Sequence, residues 1–188
     1  MKLGSKFTIY DLESAPAESR PDLEAAKKKY GFELNLFGVL AESPTALRAY
    51  AAINEALESA ALSPVEQQVV TLTVSGENGC TYCMGAHSAV AGMVNMPNEV
   101  LTALRERRAL PDPKLDALRS FALAMVKQRG WVPDPDVQAF LDAGYSRRHL
   151  LDVVTIIALK TLSNYTNHLA GTPLDDAFAP MSWAPPQD

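Results

Sequence analysis

Apolar residues recur along this chain at spacings of three and four, the signature of helices with one buried stripe. In "SPTALRAYAAINEALES", Leu47, Tyr50, Ala51, Ile53 and Leu57 form such a stripe behind a Ser43–Pro44 start. Serine is a favoured N-cap and proline a favoured first helical residue. "SPVEQQVVTLTVSGENG" uses the same start at Ser63 and Pro64, with Glu66 three residues after the cap as in a capping box. Val69, Val70, Leu72, Thr73 and Val74 make that helix apolar nearly all round, so it is predicted to be buried. "GENG" ends it, and a helix from about Cys80 to Val94 follows.

Further along, "NMPNEV" opens a helix. "DPKLDALRSFALAMVKQRG" is amphipathic and stops at Gly130, and "DPDVQAFLDAG" is short. "SRRHLLDVVTIIALKTLSNYTNHLAG" is long and apolar in its middle. Its "VVTII" is β-branched, but its length and flanking helix formers favour a helix. Upstream, "DLEAAKKKYG" is a charged helical piece closed by Gly31. Strand-like alternation is scarce. The pattern predicts one all-α domain over 1–188 with seven or eight helices, an irregular segment at 1–24 and a proline-rich tail at 173–188.

Composition agrees with a globular domain of 188 residues, 47% hydrophobic and 21% charged. No apolar run approaches the ~20 residues of a bilayer span, and the N-terminus lacks a signal-peptide apolar core. A soluble, cytoplasmic protein is expected. The net charge of −5 and short basic clusters (27–29 and 105–108) argue against nucleic acid as a partner.

The chemistry concentrates in "NGCTYCMGAH", which holds both cysteines and one of three histidines. Two cysteines are too few for a disulfide scaffold, and a C-x-x-C bridge closes too short a loop to stabilise much. Cys80, Cys83 and His87 stand at i, i+3 and i+7, one helical face. Cys80 falls near a helix N-terminus, where the dipole and free N–H groups favour a thiolate. These residues fit a redox dithiol with a nearby base. A metal site would need a fourth ligand, and only His149 and His168 remain as histidines. Met84 after the second cysteine excludes a c-type haem motif. Two buried, inert cysteines are the plain alternative.

"ENGCTYCMGAH" resembles the C-x-x-C-x-x-x-H motif of AhpD-like alkylhydroperoxidases, in the carboxymuconolactone decarboxylase superfamily. "YGFELNLFGVLAESPTALRAY", "SPVEQQVVTLTVS" and "ALKTLSNYTNHLAGTPLD" are similar to its peroxidase-related branch, and the likeness spans about 25 to 178. The resemblance implies an AhpD-like helical fold, a homo-oligomer (dimer, trimer or hexamer) and reduction of small organic hydroperoxides. It implies that Cys83 attacks the peroxide, that Cys80 closes the disulfide and that His87 belongs to a proton relay. A lipoyl-bearing or thioredoxin-like dithiol adaptor would be the reductant. No cofactor is implied.

One position departs from the family: the relay glutamate is Gln68 here, which hydrogen-bonds but takes no proton. Glu66 and Glu77 are the candidate substitutes. Glu66 lies about 200° around the helix from position 68 and doubles as a capping residue. Glu77 sits in the break before Cys80. Tyr82 replaces a histidine of some relatives and is expected to pack. Asn164, Asn167 and His168 share a face and line either the cysteine pocket or an oligomer contact, while His149 at a helix start is expected to be exposed. A lyase of the same superfamily and a non-catalytic redox-responsive protein are the competing functions.

Overall fold

The computed structural model describes residues 7–186. They form α1 (Arg20–Tyr30), α2 (Asn35–Leu40), α3 (Pro44–Leu57), α4 (Pro64–Glu77), α5 (Thr81–Met93), α6 (Asn98–Arg105), α7 (Pro113–Lys127), α8 (Asp134–Asp142), α9 (Arg147–Ala170) and a 3₁₀ turn (Asp176–Met181). The all-helical expectation holds, and there is no strand among the described residues.

The starts follow from their caps. Ser43 Oγ accepts from Ala46 N at 3.3 Å. Ser63 and Glu66 form the complete capping box, with Ser63 N donating to Glu66 Oε2 at 2.8 Å. Asp112 Oδ1 accepts from Lys114 N and Leu115 N. At the far ends, Gly31 and Gly171 adopt the left-handed conformation and return N–H groups to Lys27 O and Asn167 O.

α4 is the axis of the molecule. Val69, Val70, Leu72 and Val74 are fully buried, and α4 packs on α5, α6, α7 and α9. Burying four such side chains contributes on the order of 1.5–3 kcal/mol each.

Three boundaries differ from the sequence expectation. Among the described residues, nine α-helices replace seven or eight because "NLFGVL" folds as α2. That segment is too short and too uniformly apolar to show a period, yet Leu36, Phe37, Val39 and Leu40 are all buried. α5 begins at Thr81, with Cys80 as its extended N-cap. The proline-rich C-terminal segment is docked on the helices. Phe178 is buried, Arg105 donates to the carbonyls of Met181 and Ser182, and Trp183 Nε1 donates to Arg105 O. Leu174 lies across Gly85, where a Cβ would come within 2.8 Å of it. Of the segment expected to be irregular, residues 1–6 lie outside the described part, and α1 already begins at Arg20.

Candidate active site

The turn before α5 places the dithiol. Gly79 has φ +66°, the left-handed region that glycine enters without strain. This reverses the chain so that Cys80 N donates to Ser75 O at 2.9 Å, tying the cysteine helix to the end of α4. From there Cys80, Cys83 and His87 run along one face of α5.

That face meets a second stripe of the same spacing on α9: Lys160, Ser163, Asn164 and Asn167, all buried. The two stripes pair in opposite directions. Asn167 Nδ2 donates to Cys83 Sγ at 3.3 Å and lies 3.9 Å from Cys80 Sγ. Ser163 Oγ is 3.9 Å from Cys83 Sγ. Lys160 Nζ lies 2.8 Å from His87 Nε2. Asn164 holds the register by accepting from Asn78 Nδ2 at 2.9 Å. The two cysteines are free thiols, each 1% exposed, yet their surroundings are polar.

Gln68 completes the row from α4, with Oε1 2.9 Å from His87 Nδ1. An amide oxygen there accepts the ring proton, so Nδ1 carries the hydrogen and Nε2 is left to accept from Lys160 Nζ. The imidazole is neutral in this arrangement. Burial first, and the adjacent Lys160 second, hold its pKa well below the ordinary histidine range.

The two thiols are driven apart. Cys80 donates a hydrogen bond to Cys83, which favours the Cys83 thiolate. Lys160 and the hydroxyl of Ser163 add to this and together outweigh burial, so the Cys83 thiol is held well below its usual range. Cys80 is pushed up by that same bond, by burial and by the neighbouring Cys83 charge. One sulfur is thus suited to attack and the other remains a thiol.

The other candidates fall elsewhere. Glu66 is occupied by the capping box and faces Lys114 at 3.5 Å. Glu77 bonds Arg107 at 2.9 Å and faces Lys127 at 3.8 Å, lining a small cavity with Arg119 and Leu123. Neither carboxylate is hydrogen-bonded to Cys80, Cys83 or His87, so neither replaces the relay glutamate. Tyr82 is buried and donates to Asp175 Oδ2 at 2.6 Å, while accepting from Leu36 N at 3.3 Å. His149 closes a capping box with Ser146, and His168 is exposed beside Tyr165. Among the described residues no group of three or more His, Cys, Asp and Glu side chains is arranged for a metal ion.

Sequence reasoning missed Lys160 and Ser163. Their signal was present: "KTLSNYTN" spaces polar residues at i, i+3, i+4 and i+7 inside an apolar helix, and a lysine on the buried face of such a helix needs a reason.

Residues 44–124 match the model of the carboxymuconolactone decarboxylase family. The fold is shared with the alkylhydroperoxidase AhpD core of a peroxidase-related protein from Ralstonia eutropha JMP134. That chain is 27% identical, with a TM-score of 0.82, and the match covers 93% of this chain and 94% of that one. A peroxidase-related protein from Silicibacter sp. TM1040 superposes with a TM-score of 0.77 at 22% identity, covering 93% and 95%. The debrominase Bmp8 superposes with a TM-score of 0.79 at 16% identity, covering 95% and 97%. No curated protein matches the sequence. The chain thus carries a segment similar to the carboxymuconolactone decarboxylase family, in a fold shared with the AhpD core of a peroxidase-related protein.

Proposed function

We propose that this protein is a thiol-dependent peroxidase that reduces small organic hydroperoxides through Cys83 and Cys80. The observation that carries this reading is the convergence of Asn167 Nδ2 and Ser163 Oγ on Cys83, beside the Lys160–His87 pair on the same face, which favours an anion on that one sulfur. Cys83 attacks the distal peroxide oxygen and becomes a sulfenic acid, and Cys80 condenses with it to form the disulfide and water. His87, oriented by Gln68, belongs to the proton path. Asn167, whose Nδ2 donates to Cys83, has a buried Oδ1 without a partner among the described residues, an acceptor for the O–H of a hydroperoxide.

A dithiol reductant of the lipoyl or thioredoxin-like kind restores the thiols, which fits a reducing cytoplasmic setting. No described helix is long and apolar enough to cross a membrane. The exposed Leu151, Val154, Tyr165 and Leu169 along α9 support assembly into a homo-oligomer.

Reduced protein mixed with cumene hydroperoxide should lose two thiols per peroxide consumed, and Cys80→Ser should accumulate a Cys83 sulfenic acid trapped by dimedone. Equal turnover by Cys83→Ser would refute the proposal. A cysteine-to-alanine variant of the debrominase Bmp8 was captured with 2,3,4-tribromopyrrole. Bromide release from that compound by the present protein, with no peroxide consumed, would replace the hydroperoxide with an organohalide.

A further inference from the structure

We infer that Lys160 supplies the buried charge that keeps Cys83 a thiolate and carries the reaction's proton, in place of the relay carboxylate that Gln68 has displaced. The inference rests on the peroxidase reading only for its second half; the electrostatic half stands on the geometry.

Lys160 has no exposed surface, and it lies on the same helix as the buried Val153, Ile156 and Leu159. Its hydrogen-bond partner is the neutral Nε2 of His87 at 2.8 Å. No carboxylate among the described residues forms an ion pair with it. A buried ammonium without a counter-ion is heavily penalised unless a nearby acid gives up its proton.

Among the described residues, the titratable groups facing this region are few. α5 presents Cys80, Cys83 and His87, α3 presents Tyr50, and α1 presents Tyr30. Tyr82 is turned to Asp175, and Glu77 on α4 is committed to Arg107 and Lys127. Of the acids, Cys83 is the one on which Asn167 Nδ2 and Ser163 Oγ converge. It is the counter-ion that this site can form.

Gln68 then has a defined purpose. A glutamate there would place an anion across the imidazole from Lys160 and share its charge. The amide instead fixes the ring with Nε2 toward the ammonium and leaves the full cation to the sulfur.

The proton balance closes. In the resting state the Cys83 proton resides on the Lys160–His87 couple. The thiolate gives an electron pair to the distal peroxide oxygen, the S–O bond forms and the O–O bond breaks. The departing alkoxide takes a proton from the couple and leaves as alcohol. The Cys80 thiol displaces the sulfenic oxygen as water, and two electrons have passed from dithiol to peroxide. An external dithiol reduces the disulfide, and the couple takes back the Cys83 proton.

The test is thiolate absorbance near 240 nm against pH in reduced wild type, Lys160→Met and Gln68→Glu, each with its Cys83→Ser counterpart as blank. In Lys160→Met the Cys83 midpoint should rise by about two pH units, ~100-fold in the thiolate-to-thiol ratio. Gln68→Glu should move it the same way by less, and it keeps the inference testable if Lys160→Met fails to fold. Midpoints equal to wild type in the folded variants would overturn it. A midpoint that depends on Lys160 in a protein inert toward cumene hydroperoxide would uphold the charge assignment and overturn the peroxidase reading instead.

Discussion

Asn167 serves Cys83 directly: its amide donates to the sulfur while its carbonyl oxygen, buried, has no partner among the described residues. A donor aimed at a developing anion typically changes a rate by orders of magnitude. Asn167→Leu keeps the volume and removes both polar atoms. It should slow oxidation by cumene hydroperoxide by at least roughly tenfold. Folding stability should change by less than about 1 kcal/mol, because an unsatisfied buried acceptor disappears with the bond. Rapid-mixing kinetics and chemical denaturation of the same variant check both halves. An unchanged rate would remove Asn167 from the site. At this scale the cysteine motif and His87 were legible from spacing alone. Lys160 was legible only as part of the polar spacing of "KTLSNYTN" within α9, because a lone lysine reads as a solvated residue until the helices around it are known.

Helices with caps announced themselves, since Ser43–Pro44, Ser63–Pro64–Glu66 and Asp112–Pro113 are local signals. α2 and the C-terminal segment did not, because both are held by tertiary contacts. Tyr82 is the joint between them: its hydroxyl accepts from Leu36 N and donates to Asp175, whose other oxygen accepts from Asn35 N at 2.8 Å. Tyr82→Phe leaves these buried partners short of a bond and should cost about 1–3 kcal/mol. Denaturant midpoints report the loss, and protection of the α2 amides in hydrogen exchange should fall with it. The strap over Gly85 depends on the same joint, so this one hydroxyl connects the N-terminal third of the chain, the cysteine helix and the C-terminus.

The dithiol site makes the stability of the whole molecule depend on pH. Cys83 has a lowered folded value, so its contribution is complete above the ordinary thiol range near ~8.5 and shrinks as pH falls toward the folded value. His87 is also lowered: below ~6.5 the unfolded ring binds a proton that the folded ring refuses, so acid destabilises. Cys80 is raised, and its unfolded thiol ionises above ~8.5 while the folded one does not, so alkali destabilises. Reduced protein should therefore gain stability as pH rises to about 8.5 and lose it above, and Cys83→Ser should flatten the rise on the acid side. Denaturant midpoints across that range give the answer. Assembly belongs to this scale too: the protein should elute well above its 20.4 kDa monomer mass, and Leu151→Glu with Tyr165→Glu should reduce that size. The measurement that most directly probes the central claim is the rate constant for cumene hydroperoxide oxidation of the reduced protein as a function of pH. A buried ammonium holding Cys83 as an anion predicts a rate nearly constant from about pH 8.5 down to below neutrality. A rate that falls about tenfold per pH unit below ~8.5, as for a free thiol, would contradict it.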